Sequence, residues 1–250
     1  MIEERGARSE ERGATATARQ RSPLAPRPSL FAPRCSPLAL RPGGLELTDR
    51  ALAHCALPEG ARVWDVGCGY GETVAHLSQR GFRAGGVDLS LARLVEARTR
   101  AGEACFAQAS AMALPCASAS LDAVFAECVW SVCAGGRALA EWHRALRPGG
   151  WLALTDVYAR HAMALPLECA TSCWGGLPIE RDVRDALKDA GFETMAWEDH
   201  VAALNAYAAQ MIWRQGSLAP LLGVGADQPD AQAALKAARP SYFLLVARKR

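Results

Sequence analysis

Short apolar runs alternate with stretches of helical periodicity along most of the chain. The runs that predict strands are 62–66, 83–88, 104–108, 121–126, 151–157, 192–198 and 241–247. Between them, apolar residues recur at helical spacing in 72–80, 90–101, 137–146, 179–190 and 201–214. Strands that alternate with helices favour an α/β fold, in which a mostly parallel sheet carries helices on both faces.

The two ends of this pattern deviate from the alternation. Thr48 is a candidate cap for a first helix with Leu52, Cys55 and Ala56 at helical spacing. At the other end, strand 241–247 follows the connection 216–240, which predicts an antiparallel hairpin at the sheet edge.

Residues 1–42 show neither helical nor strand periodicity. They contain six prolines, each of which removes a backbone donor and restricts the residue before it: Pro23, Pro26, Pro28, Pro33, Pro37 and Pro42. We therefore predict a disordered Pro/Arg-rich leader over 1–42 and one globular domain over 43–250.

Charge and cysteine usage narrow the choice of partners. The chain has 28 basic and 26 acidic residues; eight Arg against four Glu in residues 1–41 leave the other 209 residues at −2. Such a body favours neither nucleic acid nor a membrane as partner, and no apolar run of about 18 residues is present to span a bilayer.

Nine scattered cysteines without a C-x-x-C pair predict a reduced, cytoplasmic protein without a metal site.

A glycine-rich loop lies between the first predicted strand and the following helix. It reads Asp65-Val66-Gly67-Cys68-Gly69-Tyr70-Gly71, and its alternate glycines let the backbone turn sharply and approach a ligand closely. The residue after the loop is Glu72, whose charge disfavours a pyrophosphate, and no Gly-Lys-Ser/Thr ending of a P-loop follows.

This loop resembles the first motif of the class I S-adenosylmethionine-dependent methyltransferases, of the methyltransferase type 11 kind. The resemblance implies a Rossmann-like fold with a seven-stranded sheet in the order 3-2-1-4-5-7-6 and strand 7 antiparallel. It also implies S-adenosyl-L-methionine as cofactor, with Asp88 at the end of the second strand accepting hydrogen bonds from both ribose hydroxyls. A cap for the helix that starts near Ser90 is the structural alternative for Asp88.

Further motifs extend the resemblance to residues 44–250. The loop 110–115 resembles the adenine-side loop of the family, with Ser110 where an acidic residue is usual, so that Ala111 and Met112 would contribute backbone contacts. The stretch 146–154 resembles the helix-turn-strand signature before strand 5. The implied cofactor-binding residues are Asp65, Gly67, Cys68, Gly69, Gly71, Asp88, Leu89, Ser110, Ala111, Met112 and Glu127.

Candidates for acceptor chemistry follow strands 4 and 5. Glu127 and Cys128 lie where substrate would meet cofactor, and Cys128 with Cys173 resembles the cysteine pattern of arsenite methyltransferases, with Cys35 as a possible third thiolate. The alternative for these cysteines is simple packing in the core. Asp156 is placed to orient a substrate or act as a base, or else to hydrogen-bond a loop.

These features predict methyl transfer to a small-molecule acceptor, with Glu127, Cys128, Asp156 and Cys173 as candidate catalytic residues. Methyl transfer is an in-line displacement in which a dedicated base is optional, so the cofactor motifs leave the acceptor open. Two alternatives remain at this stage: an arsenite methyltransferase that uses Cys128 and Cys173, and a non-catalytic cofactor-binding accessory protein. The sequence does not specify an oligomeric state.

Overall fold

The computed structural model describes residues 41–133, 135–162, 174, 177–217 and 229–250. Residues 1–40, which contain most of the predicted leader and Cys35, lie outside this part of the chain. So do Cys169 and Cys173.

The described residues form an alternating series of strands and helices. The strands are β1 Arg62–Val66, β2 Arg83–Asp88, β3 Cys105–Gln108, β4 Leu121–Glu127, β5 Leu146–Ala159, β6 Phe192–Asp199 and β7 Pro240–Lys249. The helices are α1 Gly44–Cys55, α2 Glu72–Gln79, α3 Leu91–Ala101, α4 Gly135–Ala145, α5 Glu180–Asp189, α6 Val201–Gln215 and α7 Pro229–Ala238. A short 3₁₀ helix, Trp130–Val132, follows β4.

The seven strands make one sheet in the order β3-β2-β1-β4-β5-β7-β6. The first five strands pair in parallel, whereas β7 runs antiparallel between β5 and β6. This confirms the predicted strand order and the antiparallel seventh strand. The antiparallel pair at the edge is β6 with β7, as the hairpin prediction expected.

The centre of the sheet is apolar on both faces because helices cover it on both sides. One buried cluster includes Leu77 and Leu94 of α2 and α3, and the other includes Leu139 and Trp142 of α4. A parallel sheet buried on both faces needs continuous apolar runs in its strands, which is the pattern that β4 and β5 show. No helix in the described ranges is long and apolar enough to cross a membrane.

Two helices differ from their predicted positions. Helix α1 begins at Gly44, after Gly43 in a left-handed conformation with φ 73°, so Thr48 lies inside the helix and not at its cap. Helix α7 occupies part of 216–240, which was predicted as a connection. The Pro, Gly and Ala residues there hid the helix, although proline is well tolerated in a first helical turn.

Candidate cofactor-binding and active site

The glycine loop after β1 is tied to the neighbouring strand β2. The backbone N–H groups of Gly67 and Cys68 both donate to the carbonyl of Val87, at 2.7 and 2.9 Å, and Gly71 N donates to Cys68 O at 2.9 Å. Gly67 has φ 75°, and a Cβ there would lie 2.4 Å from a methyl carbon of Val129. The loop is therefore packed on one side and cannot accept a larger residue at Gly67.

The same loop is open at Gly69. Its φ is 51°, and a Cβ built on it would meet no heavy atom within 4 Å. Gly69 therefore borders free space at the carboxyl end of β1, where open parallel sheets bind their ligands.

Asp88 joins this open loop to the start of α3. Its side chain is only 8% exposed. Its Oδ2 accepts from Gly69 N at 3.0 Å, and its Oδ1 accepts from Ser90 N at 2.8 Å. Each carboxylate oxygen can accept a second hydrogen bond, so the loop-bracing contacts and the predicted ribose contacts are compatible. Next to it, the apolar side chain of Leu89 is 69% exposed.

Helix α4 holds the loop that was predicted to lie beside the adenine. The indole N–H of Trp142 donates to Ala111 O at 2.9 Å, and Glu141 Oε1 accepts from Leu114 N at 2.6 Å. Within the loop, Ser110 Oγ accepts from Met112 N at 3.2 Å. Ser110 therefore shapes the loop. Trp142 is fully buried and anchors it.

Asp65 and Glu127 bring two carboxylates together at the ends of β1 and β4. Asp65 is 4% exposed, and the Glu127 side chain is 5% exposed. Burial raises the pKa of Asp65 well above its ordinary value, and the negative charges of Glu127 and Asp88 raise it further. The positive charge of Arg41 lowers the pKa of Asp65, and it offsets part of the electrostatic cost of burying the two carboxylates.

Arg41 is the residue of the site that the sequence analysis did not identify. Its Nη2 lies 2.9 Å from Glu127 Oε2 and donates to the hydroxyls of Thr48 and Thr73, each at 2.9 Å. Both hydroxyls in turn donate to Glu127, at 2.8 and 2.6 Å. Its Nη1 lies 3.5 Å from Glu72 Oε2. Burial alone lowers the pKa of a guanidinium, but Glu127 and its neighbours more than offset this, so the pKa of Arg41 is raised.

Arg41 was placed in the predicted leader, yet its side chain is buried. No local signal in the sequence could have found it, because its partners come from α1, α2 and β4. Arg41 thus packs with residues of the domain that was predicted to begin at residue 43.

Cys128 lies directly after β4 and contacts a buried tyrosine. Its Sγ is 3.0 Å from Tyr242 Oη, which donates to Thr155 Oγ1 at 2.9 Å. Cys128 has φ 58°, a left-handed conformation that is uncommon for residues other than glycine. Burial, and then the neighbouring Cys128, raises the pKa of Tyr242. The predicted pairing with Cys173 lies outside the described residues.

Asp156 is buried next to the 3₁₀ helix. It is 1% exposed, and it accepts hydrogen bonds from Ser131 N at 2.9 Å and Ser131 Oγ at 2.8 Å. Burial raises its pKa to about 6, although the hydrogen bonds from Ser131 lower it. These contacts brace the turn after β4, which carries Val129 against the glycine loop. Among the described residues no group of three or more His, Cys, Asp or Glu could hold a metal ion.

Comparison with known proteins places this geometry in a family. The model of a methyltransferase domain matches residues 64–154, which run from β1 with its glycine loop to β5. Residues 64–154 therefore form a methyltransferase domain, and its sheet has the class I S-adenosylmethionine-dependent methyltransferase fold. The predicted family and fold are thereby confirmed, whereas the arsenite resemblance gains no support.

Curated relatives resemble less than half of the chain. A malonyl-[acyl-carrier protein] O-methyltransferase of Enterobacter lignolyticus is 36% identical over 112 residues, covering 44% of this chain and 45% of the relative. The 27-O-demethylrifamycin SV methyltransferase of Amycolatopsis mediterranei is 35% identical over 123 residues, covering 44% and 43%. The chain thus spans about half the length of the curated relatives it matches.

Solved structures match more of the chain. The [4+2]-cyclase SpnF is 25% identical, with a TM-score of 0.65, and the match covers 85% of this chain and 84% of SpnF. A geranyl diphosphate methyltransferase in complex with S-adenosylmethionine has a TM-score of 0.66 at 18% identity, covering 83% and 86%. At 18% identity, the likeness to the geranyl diphosphate methyltransferase shows the fold alone.

Proposed function

We propose that this protein binds S-adenosyl-L-methionine and transfers its methyl group to a small-molecule acceptor. The observation that carries the proposal is the carboxylate cluster at the open glycine loop. Asp65, Asp88 and Glu127 lie at or next to the ends of three neighbouring parallel strands, and all three are nearly inaccessible to water. Because these carboxylates repel each other, the site favours a ligand that carries positive charge.

The residues of the site fit the parts of this cofactor. Asp88 has spare acceptor capacity for the ribose hydroxyls, and the exposed Leu89 beside it offers an apolar surface to the adenine ring. The backbone of 110–112, held by α4, lines the same side. When bound, the cofactor supplies an electrophilic methyl group on a positively charged sulfur.

The acidic pair and Arg41 suit the amino-acid end of the cofactor. Asp65 and Glu127 favour its cationic groups, whereas the Arg41 guanidinium forms an ion pair with Glu127 and fixes it in place. We assign Glu127 to cofactor binding ahead of proton transfer, because both of its oxygens already accept hydrogen bonds from Thr48 and Thr73. The enzyme's main task is then to align the acceptor with the methyl group and to exclude water.

Residues after β4 and β5 support the acceptor side of the proposal. Cys128 ends β4 next to Glu127, and Asp156 braces the turn that follows. Asp156 has a pKa of about 6, near the range useful for a general base. Its burial and its bonds to Ser131 favour positioning over proton abstraction. A cytoplasmic location stays a prediction.

The names of two similar proteins support one alternative function. SpnF is named a [4+2]-cyclase, and a relative from Talaromyces variabilis, 30% identical over 125 residues, is named an S-adenosyl-L-methionine-dependent Diels-Alderase. This fold therefore does not by itself fix methyl transfer as the reaction. A cofactor-binding protein that leaves the methyl group in place is the second candidate.

Release of S-adenosylhomocysteine separates these candidates. We would incubate the protein with S-adenosylmethionine and a panel of oxygen, nitrogen, carbon and sulfur acceptors, including arsenite with glutathione, and measure S-adenosylhomocysteine by mass spectrometry. The proposal expects acceptor-dependent release that is lost in D88A. Cofactor binding without release from any acceptor would favour the second candidate. Release only with arsenite, lost in C128S and C173S, would establish the arsenite alternative.

A further inference from the structure

A cavity lies at the opposite end of the strands that hold the glycine loop and Asp88. Its volume is about 490 Å³, within the range of small-molecule pockets. It is bordered by the first residues of β1, β2 and β3, which are Arg62, Arg83 and Cys105, and by the ends of α2 and α3.

Two guanidinium groups point to the same side of this cavity. Arg62 and Arg83 are register partners on neighbouring parallel strands, whose spacing is about 4.8 Å, and in-register side chains share a sheet face. Both residues are exposed. Within the described ranges, neither guanidinium forms an ion pair or a side-chain hydrogen bond. Two like charges side by side repel each other unless an anion lies between them.

The rest of the lining is largely apolar. The indole of Trp64 lies over Gly85, where a Cβ would come within 2.7 Å of Nε1, so the glycine makes room for the ring. Phe82 and three alanines add further apolar surface, and Glu103 is the one carboxylate of the lining. The exposed thiol of Cys105 stands at the rim.

We infer that this cavity is a second binding site, for a small organic anion with an aromatic or acyl body. The acidic head, a phosphate, sulfonate or carboxylate, lies between Arg62 and Arg83, where charge-assisted hydrogen bonds are strongest. The apolar body lies against Trp64 and Phe82. This site is separate from the cofactor site, because Arg62 is three residues, or about 10 Å of extended strand, from Asp65.

The location also connects the two sites. Strand β1 begins at Arg62 and leads into the glycine loop, and β2 begins at Arg83 and ends at Asp88. An anion bound at one edge thus contacts the same two strands that hold the cofactor residues at the other edge.

The test uses 8-anilinonaphthalene-1-sulfonate, an aromatic anion whose fluorescence rises in apolar sites. We expect saturable binding at one site that is at least about tenfold weaker in R62Q/R83Q. A matched control is R181Q/R250Q, which removes two exposed positive charges elsewhere. E103K, at an exposed position, should bind roughly threefold more tightly by adding a third cation. Because partly unfolded chains also bind this probe, the gain is read as a lower Kd at one site, in a variant whose urea denaturation matches that of the parent.

Two further readouts locate the site. The probe should slow alkylation of Cys105, measured on its peptide by mass spectrometry, and leave Cys116 unchanged. Benzoate and phenyl phosphate as competitors, which share the phenyl body, distinguish a carboxylate head from a phosphate head. Displacement of the probe by S-adenosylhomocysteine, equal binding by R62Q/R83Q and the control, or no gain in E103K would each overturn the inference.

Discussion

The two ends of strands β1 and β2 carry opposite charge. Both strands start with arginine, Arg62 and Arg83, and carry an aspartate at or near the other end, Asp65 and Asp88. Because the strands are parallel and nearly in register, the two arginines lie together at one edge of the sheet and the two aspartates at the other. Each strand has an arginine at its start and an aspartate at or near its end. Parallel pairing therefore produces a basic edge at the starts of the strands and an acidic edge at their other ends.

The two edges differ in how the charge is satisfied. The aspartates and Glu127 are buried, and hydrogen bonds, threonine hydroxyls and Arg41 stabilise them. The arginines are exposed to water, and no side chain in the described part of the chain forms an ion pair with them. A buried charge needs compensation, whereas an exposed one does not, so changes at the acidic edge should cost far more stability.

Removing the buried cation should produce the largest effect. In R41M, Glu127 loses its ion pair but keeps the two threonine donors, so we expect a fall of about 3 kcal/mol in the free energy of unfolding, at the lower end for broken buried pairs. Urea denaturation measures this change. The double variant R41M/E127Q should recover part of the loss, because it removes the stranded charge. A loss in R41M no greater than that of the exposed control R181M would contradict the account of Arg41.

The second-largest effect should be the loss of cofactor affinity when the ribose acceptor Asp88 is replaced. D88A removes charge-assisted acceptors worth about 1.5–3 kcal/mol each, which predicts a loss of at least tenfold in affinity for S-adenosylmethionine. Calorimetry measures the affinity. D182A, at an exposed position of α5, is the control and should bind as the parent does. Unchanged affinity in D88A would refute the ribose assignment.

The buried Asp156 should give the protein a pH-dependent stability. Its pKa is about 6 in the folded state, above the ordinary value, so the folded protein holds the proton more tightly than the unfolded chain. Stability from this group is therefore greatest at low pH and falls as the pH rises from about 4 to about 6.

The neutral variant D156N should remove this slope. A shift of about two pKa units corresponds to roughly 2–3 kcal/mol, so D156N should gain up to that amount relative to the parent between pH 4.5 and 7.5. Denaturation series at the two pH values measure the difference. S131A, which removes one hydrogen bond and keeps the carboxyl group, should retain the slope. Parallel pH curves for D156N and the parent would be inconsistent with a raised pKa.

Changes at the basic edge should have the smallest effect on the protein itself. R62Q/R83Q should alter the free energy of unfolding by no more than about 0.5 kcal/mol, because both side chains are exposed. Its affinity for S-adenosylmethionine in the absence of an anion should match the parent. A loss of cofactor affinity would mean that the two edges are not separable.

The sequence allowed most of the sheet and half of the site to be predicted. The glycine loop and Asp88 are local motifs at a strand end, so their position follows from the chain pattern alone. Strand order came with the family resemblance, and its antiparallel edge agrees with the final apolar run 241–247.

Tertiary contacts account for what the sequence did not reveal. Thr48 was predicted as a helix cap, but its hydroxyl reaches Glu127, 79 residues away. Arg41 lies next to a proline-rich stretch and finds its partners only after α1, α2 and β4 come together. Pairings over such separations leave no periodicity in the local sequence, and therefore neither residue could be assigned beforehand.

The central claim is that the acidic edge binds the cationic cofactor, and calorimetric titration of the parent protein tests it most directly. S-adenosylmethionine and NAD should be titrated separately under the same conditions. The account predicts one S-adenosylmethionine bound per chain and no heat of binding from NAD, because Glu72 follows the glycine loop and opposes a pyrophosphate. Binding of NAD, or no binding of S-adenosylmethionine, would contradict it.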